Sequence, residues 1–124
     1  MKEIAHWEEP EIVLDNTREL LQATVRQIKK DFLQNGLELQ LAEEQFENYH
    51  GLLKSLEEML AWLLERDEQR LLQLLYRIDL GEEKLKKSMM ENEHNSLATL
   101  LAQLIIKREA QKVLIRNHFR HNNQ

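Results

Sequence analysis

Cysteine is absent from the 124 residues, which excludes a disulfide framework, a cysteine-ligated zinc site and thiol catalysis. It also suits a reducing compartment. Proline occurs once and glycine three times. A β-sandwich or barrel reverses its chain at short intervals and needs such residues at each reversal, so their scarcity predicts a few long elements. No apolar run long enough for a membrane helix exists. The stretch Leu104-Ile105-Ile106, for example, is bounded by Gln103 and Lys107. The opening residues Met1-Lys2-Glu3-Ile4-Ala5-His6-Trp7-Glu8-Glu9-Pro10 are acidic, where a secretory leader is basic and then apolar. A cytoplasmic location is the expectation.

What is present is hydrophobic residues at 42% and charged residues at 31%, a balance that suits a globular chain rather than a disordered acidic one. The length fits one domain, residues 1–124, with its own core. Leucine recurs throughout among Glu, Gln, Lys and Arg, all good helix formers. The expected class is all-α, a bundle of four main helices. Charge is unevenly spread. Residues 1–68 hold 7 Lys/Arg against 16 Asp/Glu, a net of −9, and residues 69–124 hold 10 against 6, a net of +4. Such asymmetry either serves an anionic partner or lets one half complement the other.

Residues 1–15 show no clean period and are expected to form a docked arm. Asn16 and Glu19 have capping-box spacing, and Leu21, Val25, Ile28 and Phe32 follow at steps of four, three and four. This predicts a helix over 16–34, ended by Asn35-Gly36. Leu37-Glu38-Leu39-Gln40-Leu41 alternates with period two. Without a partner strand it reads as the extended entry to the next helix. A helical pattern then runs over 42–78 through Phe46, Tyr49, Leu53, Leu56, Leu60 and Leu63, shifting to Leu71, Leu75 and Ile78 because Asp67 and Arg70 interrupt the heptad. An unbroken helix of that length would span roughly 55 Å. It therefore kinks, with Asn48-Tyr49-His50-Gly51 the expected place, or a second copy covers the overhang. Asp79 and Glu82 offer another capping box for a helix over 80–92, edged by Leu85 and Met89. Asn95 or Ser96 caps a last helix over 96–119, lined by Leu97, Leu101, Leu104, Ile105, Ile115 and Phe119. Residues 121–124 are expected to fray.

The block Leu74-Leu75-Tyr76-Arg77-Ile78-Asp79-Leu80-Gly81-Glu82-Glu83-Lys84 resembles a segment of small bacterial all-helical proteins. The resemblance extends to part of the last helix and implies a bacterial cytoplasmic origin. It brings no activity with it.

Three constellations carry chemistry. Glu-x-x-His occurs at Glu3/His6, Glu47/His50 and Glu91/His94. On a helix this spacing places both side chains on one face, and paired motifs of the kind hold two metal ions in carboxylate-bridged bundles. The alternative is a set of solvated polar positions. His118 and His121 have the same spacing at the tail. The second is a basic ridge, Arg108, Lys112, Arg116 and Arg120 with Lys107 beside it, which could track phosphates. Phe119 alone offers a stacking ring there, and cations near a helix C-terminus also favour the macrodipole. The third is Trp62 among Leu60, Leu63 and Leu64, a stretch apolar over more than one face and hence covered on two sides. No Gly-rich phosphate loop or nucleophile elbow exists. The sequence thus predicts a non-enzymatic helical interaction or regulatory module without a cofactor. Its partner is expected to be a second copy or another protein. Leu60, Trp62, Leu63, Leu64, Leu71 and Leu75 are the interface candidates.

Overall fold

The computed structural model describes residues 18–42, 48–78 and 97–122, together with the single positions Leu80, Glu83, Lys87 and Met90. Side chains are described through Asn117. The described residues form four α-helices and no strand: α1 (Arg18–Gln34), α2 (Tyr49–Arg66), α3 (Glu68–Arg77) and α4 (Leu97–Asn122). The protein is all-α. The expected arm over 1–15 lies outside the described residues. So does most of the expected helix over 80–92, of which Glu83, Lys87 and Met90 are helical.

Helix α1 buries Leu21, Val25, Ile28 and Phe32 completely, the stripe its four-three-four spacing implies. Thr24 lies among them, and its buried hydroxyl is satisfied by donating to the Leu20 carbonyl at 2.8 Å. The helix stops at Gly36, whose φ of 80° lies in the left-handed region. Leu37 N–H donates to Phe32 O at 2.9 Å and Gly36 N–H to Leu33 O at 2.9 Å. This is the paired bonding of a Schellman stop. Both Leu37 and Phe32 enter the core, so the turn is clamped by packing as well as by hydrogen bonds.

Among the described residues, the segment expected to form one helix over 42–78 holds two. Asn48 is the N-cap of α2, not a kink within it: its side chain accepts from Gly51 N–H at 3.0 Å. The interruption is nineteen residues later, at Asp67. There the backbone leaves helical geometry (φ −152°, ψ 59°), while Asp67 N–H still closes α2 onto Leu63 O at 2.7 Å. The Asp67 carboxylate accepts from Arg70 N–H at 3.3 Å and pairs with Arg70 Nε at 3.3 Å. One side chain therefore ends α2 and starts α3, an N-cap role that Asp favours over helix interior. Eighteen residues of α2 span about 27 Å, so the overhang that a second copy would have covered does not arise.

The core stripe of α2 is Tyr49, Leu52, Leu56, Leu60 and Leu63. Leu52 takes the place expected of Leu53, which is only half-buried. Helix α4 packs along both α1 and α2 and so buries a broad surface: Leu100, Leu101, Ala102, Ile105, Ile106, Glu109, Ala110 and Val113. Of the residues expected to line it, Leu101 and Ile105 do so, Leu104 and Ile115 are half-buried, and Leu97 is exposed. The helix continues to Asn122, past the point where fraying was expected. No helix among the described residues is long and apolar enough to cross a membrane.

Candidate functional site

Residues 37–42 run extended between α1 and α2. Leu37, Leu39 and Leu41 are buried and Glu38, Gln40 and Ala42 exposed, so the period-two pattern is that of a strap with one face on the core. Between this strap and α2 lies a groove of about 480 Å³. One wall is the strap at Leu37, Glu38, Leu39 and Gln40. The other is a stripe of α2, Ser55, Glu58, Met59, Trp62 and Leu63, whose three- and four-residue steps place them on one face. The groove is apolar within, and Glu38 and Glu58 supply its charge. Trp62 stands at its lip, 56% exposed, with the Arg66 guanidinium 5.5 Å from its ring centroid. Cation–π contact of this kind pins an exposed indole at modest cost.

A second polar constellation lies in the seam of α1 and α4. Lys112 Nζ bonds Asp31 Oδ2 at 2.9 Å and Glu109 Oε1 at 3.4 Å. Gln27 Nε2 donates to Asp31 Oδ1 at 3.0 Å, and the Arg116 guanidinium donates to Gln27 Oε1. Glu109 is fully buried. Burial pushes its carboxyl up to about 8, aided by the hydrogen bond with Asp31, and Lys112 only partly opposes this. Burial also works to raise Asp31, but hydrogen bonds from Glu109 and Lys112, the Lys112 charge and Gln27 outweigh it and hold Asp31 low. Asp31 is thus the anion and Glu109 the acid that donates to it. The groove does not open onto this pair, which bridges α1 and α4 through Lys112 and Asp31.

Of the six interface candidates, Leu60, Leu63, Leu71 and Leu75 lie in the core of a single chain. Leu64 is partly buried against that core, and Trp62 points outward. On the basic ridge, Lys112 is turned into the α1–α4 seam and Arg116, though exposed, bonds Gln27 of α1, Lys107 and Arg108 are half-buried, and the Arg120 side chain lies outside the described residues. Of the metal-ligand candidates, His50 is exposed in the first turn of α2, edge-on to Tyr49 with centroids 5.6 Å apart. Glu3, His6, Glu47, Glu91 and His94 lie outside the described residues, as do the His118 and His121 side chains. Among the described residues no three His, Asp or Glu side chains come together as a metal would require.

The groove was not predicted from the sequence. The alternation at 37–41 was its one signal, because a segment with an inward face and free flanks can wall a groove. The Glu109–Asp31 pair had no signal, being a glutamate on a helix otherwise read as apolar inside and basic outside. No family model, curated protein or solved structure matches the chain.

Proposed function

We propose that this chain is a non-enzymatic protein–protein interaction module, and that it docks its partner in the groove between the strap and α2. The observation that carries this reading is Trp62, a large aromatic left more than half exposed beside an apolar groove. Tryptophan is one of the residues enriched among the anchors of protein interfaces. Catalysis finds no comparable support, since Glu109, the strongly shifted acid among the described residues, is buried in the α1–α4 seam away from the groove.

The test is selection of binders from a displayed library of random ten-residue peptides, followed by titration against variants. Trp62→Ala and Met59→Glu alter the groove. Tyr76→Ala, 80% exposed on α3, is the control outside it. Binders weakened about 30-fold by Trp62→Ala and untouched by Tyr76→Ala support the reading. Binders indifferent to both groove substitutions remove it. Light scattering across a concentration series reads the partner expected from the sequence, a second copy. Self-association abolished by Trp62→Ala would identify that copy as the occupant.

A further inference from the structure

The strap differs from the rest of the described chain in its backbone. The N–H of Leu37 is bonded to Phe32 O, but no backbone hydrogen bond joins residues 38–42 to other described residues. Four consecutive strap residues, Leu37 to Gln40, line the groove. Consecutive side chains of an extended segment point to opposite faces, so a wall made by four in a row is the strap's flank, where the N–H and C=O groups project. The groove therefore offers two kinds of contact: an apolar helical wall on one side and, on the other, peptide groups with no backbone partner among the described residues.

We infer that the groove takes an extended peptide segment, which adds to the strap as a second strand. The inference rests on the docking role proposed for the groove, and it names the partner. A free flank of an extended segment is a template for another strand, and a helix, whose backbone bonds are internal, would leave these groups unanswered. Charge refines the ligand. Glu38 faces outward on the strap, and Glu58 stands on the opposite wall. The segment then alternates apolar residues, directed at Met59 and Leu63, with Lys or Arg on the outer face opposite Glu38. A second copy is disfavoured as occupant because its own strap is fastened to its core by Leu37, Leu39 and Leu41. Pairing the two flanks within the groove would bring both helical bodies to the same side of the ribbon.

The experiment uses the full chain and the peptides selected above. Each peptide is resynthesised with a single backbone N-methyl group at successive positions, and its affinity is measured. Amide exchange at residues 38–42 is followed in the free and bound protein. Strand addition predicts a period-two pattern, with losses of about tenfold at alternate positions and little change between them. It also predicts slowed exchange within 38–42 on binding, and Glu38→Lys should weaken binding of the basic peptides about fivefold. Losses at every interior position would indicate a helical ligand and overturn strand addition while leaving the docking groove in place. Tolerance of all N-methyl groups, with unchanged exchange in the strap, would overturn it in the same way. Ligands indifferent to Trp62→Ala and Met59→Glu would remove both readings together.

Discussion

Glu109 is the residue whose chemistry departs furthest from its sequence context. Its ordinary pKa of 4.5 is raised to about 8 in the folded chain, chiefly by burial and then by the bond with Asp31. The unfolded chain thus releases the proton near pH 4.5 and the folded one near pH 8. The stability that the protonated carboxyl contributes is complete below the lower value and declines through that window as pH rises. Urea unfolding at pH 5 and pH 9 should differ by roughly 2–4 kcal/mol in favour of the lower pH. Glu109→Gln, neutral at both, should flatten the dependence. An equally steep decline in that variant would show that other groups carry it. Asp31 is held low and contributes in the opposite sense, losing its share of stability only as pH falls through its own range. Trp62 and Leu60, two residues apart, should behave oppositely. Leu60→Ala opens a void in the core at a cost of about 2–5 kcal/mol. Trp62→Ala should change the unfolding free energy by no more than about 1 kcal/mol while weakening groove binding about 30-fold. A large loss of stability in Trp62→Ala would mean that the indole supports the core.

At the scale of elements, two short-range devices set where the helices stop. Gly36 takes a left-handed conformation, and a Cβ there would meet no close atom, the nearest being Arg70 Nη1 at 4.0 Å. Gly36→Ala should therefore cost about 1 kcal/mol from backbone strain alone, read as a lower midpoint with an unchanged m-value. Asp67 serves two helices at once. Asp67→Ala should cost about 1–2 kcal/mol, and a larger value would show that the break also sets how α3 meets the core. The Asn35-Gly36 stop was legible because it is local chemistry. The Asp67 break was half legible. The heptad shift at Asp67 and Arg70 marked the place, but periodicity alone could not say whether the helix bends or ends. Asn48-Tyr49-His50-Gly51 misled for the same reason, since a polar residue and a glycine three positions apart suit a kink and a capped start alike.

At the scale of the molecule, α4 is the element on which both α1 and α2 pack, so a void within it reaches the whole core. Ile105→Ala should cost about 2–5 kcal/mol and move the helical ellipticity and tryptophan emission transitions together. Separate transitions would show that the two halves unfold independently. Composition and period determined that the chain is all-α, where α1 lies, and which face of it is inward. These follow from turn residues, caps and 3.6-residue spacing, all of which act within a few neighbours. Only the tertiary structure decided that Leu60 is core and Trp62 is lip, and that Lys112 and Arg116 bond to side chains of α1. It alone decided that Glu109 is an acid rather than an anion, and that the strap leaves a groove beside α2. Each of these depends on which surface a distant helix covers, and burial by a distant segment sets both the charge state of an acid and the exposure of an indole.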